Sequence, residues 1–502
     1  MRKILLTILL AAVVWTGVHW GTFAAGGSDS YCYVHQAERW ASGRLHVVEP
    51  LALEAPWPDA DATFTPIGHA PSRTVPGAIV PVCPSGLSIV MAPFLLAGGR
   101  DALFLVVPLF GALLVGATYV IGSRYGARVG LAAALLTAVS PMFLRQVIQP
   151  MSDVPAAALW MLAVAAVTGT RGRAPLIAGL ATGAAVMMRP NLVPMAIPIG
   201  LFLLLRPERT WGERVRAASM YAAGAVPGCL AVAFIQQTFY GSPLSSGYGS
   251  LATLFSSSNI GPNTRHYFSS MSLAHTPVWV LAVAAPFLLP GALTSLLVAL
   301  VLVNVAGYLP YAVFEEWWYL RFLLPAIPLV IVLMVAAFDA AWRRLRLPAL
   351  APALAVAAAA LAGVCLANAR TLGVFQLQGL ESKFERAGSY VDRRLPANAL
   401  VFASFQSGSV RFYSGRRTLA WESLDADWLD RAIAFARERG LEPYLLFETR
   451  EEPLFRQRFA GTAIGALDWP PMAEVGAQVR IYRPGDRERY RTGDQPPTEF
   501  VR

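Results

Sequence analysis

The chain opens on an apolar run, residues 4–25, and apolar stretches then recur, with short polar breaks, to about residue 369. A helix needs about 20 consecutive apolar residues to cross the hydrocarbon core of a bilayer. Runs of that kind lie at 102–121, 129–143, from 154 to Arg171 and Arg173, on both sides of Arg189-Pro190, and at 217–239. Others fill 277–313 around Pro290-Gly291, then 322–341 and 350–369. The pattern predicts an α-helical polytopic membrane protein with about 11 transmembrane helices. Beyond Glu381 charges become ordinary in frequency and the period changes. Strands are expected at 399–405, 443–447 and 479–482, and helices at 425–439, closed by Gly440, and at 451–459. That alternation predicts a small α/β soluble domain. The expected division is a membrane domain over 1–372, an α/β domain over 373–484, and a charged, proline-containing, disordered tail over 485–502.

Arginines orient the spans. Arg2 and Lys3 precede a first run that is long for the apolar part of a cleaved signal, although Phe23-Ala24-Ala25 is a passable cleavage site, so an uncleaved first span is favoured. Arg124 with Arg128, Arg171 with Arg173, Arg206 to Arg216, and Arg343 to Arg346 then all fall on the cytoplasmic side if the N-terminus does. The same topology places Asp29, Asp153, the loop 240–276, Glu315, Glu316, Arg321 and the C-terminal domain outside. The first outer loop, 26–100, contains an apolar piece, 78–96, broken by Pro81, Pro84 and Pro93. It is expected to lie in the interface, because a true span there would reverse every later orientation.

Composition sharpens this picture at two points. Charged residues are 14% of the chain, against about 25% in soluble domains. The net charge of +10 sits in clusters between spans rather than on one soluble face, which argues against nucleic acid as a partner and for membrane lipid headgroups and phosphates. Four cysteines show no metal spacing, and no cofactor or metal ligand set is implied. Cys229 and Cys365 lie in apolar runs as packing residues; Cys32 and Cys83 share the outer loop, where oxidation can pair them.

Three outer constellations can carry chemistry. Gly26-Gly27-Ser28-Asp29-Ser30-Tyr31 puts a carboxylate at headgroup height, with glycines that permit close backbone approach. The same residues also read as the start of a helix through Trp40 ended by Gly43, and both readings can hold. Asp153, in Gln149-Pro150-Met151-Ser152-Asp153, is a second outer acid or an ordinary helix cap. Arg321, in Glu315-Glu316-Trp317-Trp318-Tyr319-Leu320-Arg321, is an interfacial anchor in an aromatic belt or a phosphate clamp whose fork donates two parallel hydrogen bonds. Arg145 and Arg189 invite the same two readings, and Arg73 and His69 are weaker candidates.

Taken in order, these pieces resemble the GT-C membrane glycosyltransferases, most closely the branch of protein O-mannosyltransferases and the lipid A aminoarabinose transferase. The resemblance rests on Gly27-Ser28-Asp29-Ser30-Tyr31-Cys32-Tyr33 and Ala41-Ser42-Gly43-Arg44-Leu45 after one span. It continues through Val82-Cys83-Pro84-Ser85-Gly86, Ser140-Pro141, Ser152-Asp153-Val154-Pro155, Met188-Arg189-Pro190 and Tyr319-Leu320-Arg321-Phe322-Leu323-Leu324-Pro325, so it spans residues 1–340. It implies an inverting transfer of a sugar from a polyprenyl phosphate donor to a hydroxyl of a lipid, glycan or protein acceptor at the outer face of the inner membrane. By position Asp29 would be the catalytic acid residue of the first loop and Asp153 that of the second, with Arg321, Arg189 and Arg73 on the donor phosphate. The mannosyltransferases proper carry paired acids at the first site, whereas here Ser30 follows Asp29.

Rival readings are a transporter or flippase for a lipid-linked or amphipathic solute, an O-antigen-type polymerase or ligase, and a sensor with a ligand-binding soluble domain. Transporters place ionisable groups near the bilayer midplane, whereas here they collect at span ends and in outer loops.

Overall fold

The computed structural model describes residues 2–501 except 170, 171, 348 and 496, so Arg171 of the fourth expected span lies outside the described residues. Two compact units emerge. The first comprises Met1–Gly21, Pro84–Ile235 and Gly249–Leu377; the second comprises Thr22–Cys83, Gln236–Tyr248 and Gln378–Arg502.

The first unit is the multi-pass membrane part. Arg2–His19, Gly86–Leu103, Trp211–Tyr240 and Leu350–Thr371 are each long and apolar enough to cross a bilayer. Three further pairs are bent at a short break: Ala127–Ala138 with Pro141–Val147 by 60°, Ser257–His275 with Pro277–Leu288 by 107°, and Trp317–Leu323 with Ile327–Arg344 by 83°. Shorter apolar helices fill the rest, including Asp153–Val167, Ala174–Met188 and Ala292–Tyr308. Proline lies in or directly after each break, at Pro141, Pro277 and Pro325. Each proline lacks an amide donor, and Ser140 and Thr276, which precede two of them, lie outside the α region, so the helix stops and restarts on a new axis. Backbone groups freed inside a membrane must find partners in the protein. Asn263 supplies one such patch, its Nδ2 donating to the carbonyls of Leu309 at 3.0 Å and Tyr311 at 2.6 Å. Ser140 and His275, at two different breaks, meet through a 2.7 Å hydrogen bond between Oγ and Nε2.

Close helix contact in the membrane comes from small residues. Gly179 and Gly183 on one helix, and Gly224 and Gly228 on its neighbour, are each four apart and face one another. A Cβ on Gly179 would sit 2.0 Å from the Tyr221 carbonyl oxygen, and one on Gly228 2.4 Å from backbone atoms of Gly183. This is the small-xxx-small packing that lets two backbones touch without a hydrophobic driving force between them.

The second unit joins the first outer loop to the C-terminal domain. A three-stranded antiparallel sheet is made from β1 (Val47–Val48), β2 (His69–Pro71) and β3 (Ala78–Pro81), with β3 central. A six-stranded sheet runs in the order β5-β4-β6-β8-β7-β9, from β4 (Ala399–Phe402), β5 (Arg417–Leu419), β6 (Glu442–Glu448), β7 (Ala473–Val475), β8 (Val479–Tyr482) and β9 (Glu499–Val501). Successive strand residues face opposite sides. Leu400, Phe402, Leu445 and Phe447 enter one core with Leu429, Ile433 and Phe455, while Val401, Tyr444 and Leu446 enter another with Ala387, Tyr390 and Val391. Leu51, Trp57 and Phe64 of the outer loop fill the first of these cores. Polar bonds reinforce the join: Thr63 accepts from the Ala420 amide at 2.6 Å, and Glu49, with 6% of its side chain exposed, pairs with Arg411 and Arg417 at 3.4 Å each.

Several expectations are corrected here. The outer loop 26–83 packs in the second unit rather than with the membrane domain, because its tryptophan and phenylalanine complete the α/β core. The piece 78–96 is a buried strand followed by the helix Gly86–Leu103, with Pro93 inside it and a break at Gly99. The tail from 485 is ordered over its described residues: Asp486–Arg491 is helical and β9 pairs in parallel with β7. Its charges find partners in Asp468 for Arg487, and in Tyr390 and Arg394 for Glu499. Cys32 and Cys83 form a disulfide.

Next to that disulfide, His35 Nδ1 and His69 Nε2 lie 2.9 Å apart, and both rings contact Tyr31. Burial holds both imidazoles neutral, His35 well below its usual range and His69 down to about 3, and the positive field of Arg39 and Arg411 acts in the same sense. A histidine whose folded pKa is depressed stabilises fully above its unfolded pKa, and that stability is lost as pH falls below it. Protection of the Asp29–Ser42 helix against hydrogen exchange should therefore decline from about pH 6.5 downward. His69→Gln, itself destabilising at pH 7, should flatten that slope; parallel pH profiles for variant and wild type would refute the assignment. Independently, Gly183→Leu should abolish the glycine contact and lower the thermal midpoint of the membrane unit, whereas Gly172→Leu, which meets nothing, should leave it unchanged.

Candidate active site

Asp153 is the first residue of the helix Asp153–Val167, and its predecessor Ser152 makes no side-chain cap. The carboxylate is nearly sealed from solvent, with 1% of the side chain exposed, so its charge must be matched within the protein. Arg189 Nη1 donates to Oδ1 at 2.7 Å, and Arg321 Nη1 stands 4.0 Å from Oδ2. Two guanidiniums thus share one carboxylate.

Local sequence explains how both arginines arrive there. Arg189 ends the helix Ala174–Met188 in an extended conformation, φ −148° and ψ 91°, as a residue before proline prefers. That turn carries its side chain off the helix axis. Arg321 sits in the 3₁₀ segment Trp317–Leu323, between Glu316 and the break at Pro325. Both arginines lie against Phe322, with Arg189 at 5.6 Å and Arg321 at 5.4 Å from its ring centroid. Its ring stacks on Tyr308 at 5.0 Å, and the Tyr308 hydroxyl accepts from Asn191 Nδ2 at 2.7 Å. A third cation stands alongside: the Arg145 guanidinium lies 4.6 Å over the Trp318 ring and 5.8 Å from that of Trp317.

Asp153, Arg189 and Arg321 are therefore one cluster. Asp29 and Arg73 belong to the second unit. Asp29 opens the helix Asp29–Ser42, which ends at Gly43 in the left-handed conformation, φ 68°, as the helix reading of this stretch predicts. Gly26 and Gly27 serve packing and bending rather than open space. A Cβ on Gly26 would collide with the Phe384 ring at 2.1 Å, and Gly27 has φ +55°. Gly68, at φ +79°, likewise presses on the Ser28 carbonyl oxygen, fixing the start of the helix. Arg73 is exposed on the turn between β2 and β3. His69 is spent on His35. Asn191, Asn263 and Asn304 are the positioning residues that sequence reading passed over; their signal was an uncharged polar side chain within or beside an apolar run.

Residues 86–234 match the family model of the dolichyl-phosphate-mannose-protein mannosyltransferases. No curated protein matches the chain by sequence. Among solved structures, ArnT from Cupriavidus metallidurans bound to undecaprenyl phosphate superimposes with a TM-score of 0.61 at 11% identity, over 95% of this chain and 97% of that one. The Archaeoglobus fulgidus oligosaccharyltransferase AglB, in complex with an inhibitory peptide and a dolichol-phosphate, gives 0.53 at 12% identity, over 92% of this chain and 72% of that one. The mycobacterial arabinofuranosyltransferase AftD gives 0.51 at 16% identity, over 89% of this chain and 35% of that one. The chain has the GT-C fold of these membrane glycosyltransferases, with an ArnT-like arrangement extending over nearly its whole length.

Proposed function

We propose that this protein is an inverting glycosyltransferase that moves a sugar from a polyprenyl phosphate to an acceptor hydroxyl at the outer face of the inner membrane. The observation that carries this reading is the Asp153 cluster, in which one buried carboxylate brings two guanidiniums together, the group that binds a phosphate through paired N–H donors. Support comes from the ArnT structure of the same fold, which holds undecaprenyl phosphate, and from AglB, which holds a dolichol-phosphate.

The chemistry follows from charge. A glycosyl phosphodiester carries one negative charge, and the departing lipid phosphate approaches two as the anomeric bond breaks. Fixed guanidiniums stabilise that increase without reorganising, so they favour the transition state over the ground state. The leaving group is already a stable anion and needs no general acid, unlike the sugar alcohol expelled by a glycosidase. Asp29 takes the proton from the acceptor oxygen as that oxygen attacks the anomeric carbon, and a single displacement inverts the configuration. Asp153 acts as the holder of Arg189 and Arg321 rather than as a base, since its oxygens are already committed. With the helix Gly86–Leu103, which carries Pro93 and breaks at Gly99, lying in the interface, the N-terminus is cytoplasmic and the α/β domain lies on the outer side, where the acceptor is.

Transfer of labelled sugar from polyprenyl phosphate donors in proteoliposomes tests these roles. Asp29→Asn should lower kcat by about 10²- to 10⁴-fold with little change in donor affinity. Equal turnover by variant and wild type would remove Asp29 from its role. Arg321→Gln should cost about 10²- to 10³-fold, and Arg321→Lys should not restore it, because an ammonium lacks the fork. Asp153→Asn should weaken lipid phosphate binding and lower the thermal midpoint together, as one partner of a buried ion pair is lost. A variant that folds and transfers normally would show that the carboxylate does not hold the clamp.

A further inference from the structure

The 3₁₀ segment Trp317–Leu323 places more than a phosphate ligand at the site. In a 3₁₀ helix residues three apart eclipse one another on the same face, with a rise of about 2 Å per residue. Trp318 and Arg321 are three apart, so the indole and the guanidinium emerge from one face about 6 Å from each other along the axis. That spacing suits a phosphate and the sugar ring attached to it through one oxygen. Trp318 is half-buried, so part of its surface stays open. Its ring is also fixed: Arg145, from the separate helix Pro141–Val147, stands 4.6 Å over it and contacts Trp317 too. A ring held in this way loses little freedom when a ligand stacks on it.

We propose that Trp318 is the platform for the glycosyl ring of the donor, recognising the C–H face of a pyranose or furanose while Arg321 holds the phosphate, with Arg145 as the positioning residue that locks the indole. The assignment rests on the glycosyltransferase reading above and adds a sugar subsite to it. A plain interfacial anchor would behave differently, since it would act on lipid alone and would be indifferent to the sugar.

The test compares two probes on the full chain in nanodiscs: undecaprenyl phosphate, and undecaprenyl phosphate bearing mannose. Trp318→Leu should weaken binding of the mannosylated lipid about fivefold to tenfold, the range expected for loss of one stacking contact. Binding of undecaprenyl phosphate itself should change less than twofold. Trp318→Tyr should recover most of the loss, and Arg145→Leu should reproduce a part of it. Equal losses for both lipids would make Trp318 a grip on the hydrocarbon or a structural prop, and no loss for either would make it an anchor; each overturns the proposal. Failure of the underlying reading has a different signature, in which Arg321→Gln leaves undecaprenyl phosphate binding unchanged. Unaltered thermal unfolding of Trp318→Tyr guards against misfolding as the cause.

Discussion

A carboxylate shut away from water cannot stay charged alone, and one end of the membrane unit is organised around that constraint. Asp153 gathers Arg189 from the end of one broken helix and Arg321 from the 3₁₀ start of another. One buried carboxylate thereby fixes two guanidiniums from segments far apart in the chain. Both guanidiniums rest near the Phe322 ring, and Tyr308, itself bonded to Asn191, stacks on that ring.

The same economy explains why the spans are broken. Straight helices satisfy their own backbones and present side chains only along their flanks. A helix that stops inside the outer leaflet can aim a residue across the protein, provided that the freed carbonyls are satisfied elsewhere. Asn263 does this for the carbonyls that follow the helix Ala292–Tyr308, and the side chains of Ser140 and His275 tie two of the breaks together. The glycine faces of the neighbouring helices perform the complementary task, bringing backbones close where lipid supplies no hydrophobic drive.

In the second unit, the helix that begins with Asp29 is held from several directions. The disulfide to Cys83, the pressure of Gly68 on Ser28, the contact of Gly26 with Phe384 and the neutral histidine pair each fix its first turns. The outer loop gains this rigidity by lending Trp57 and Phe64 to the core of the α/β domain.

Much of this was readable from residue order. Apolar run length and arginine clusters gave a multi-pass protein, the strand and helix rhythm after residue 381 gave the α/β domain, and Asp29 to Gly43 read as a capped helix, because each depends on local pattern alone. Asp153, Arg189 and Arg321 were visible only as separate charges at span ends. That they form one cluster, with Asp153 spent on holding arginines, depends on segments 36 and 168 residues away from it being folded together, and no local period encodes that. The same holds for the outer loop, whose aromatics carry no local sign of the core that a sheet more than 300 residues later supplies, and for the tail, whose charges looked disordered until Asp468, Tyr390 and Arg394 met them. Sequence decides which residues must leave water or stay in it; which partner each then finds is decided only when distant segments pack, because burial makes an unmatched charge or an unfilled core too costly to keep.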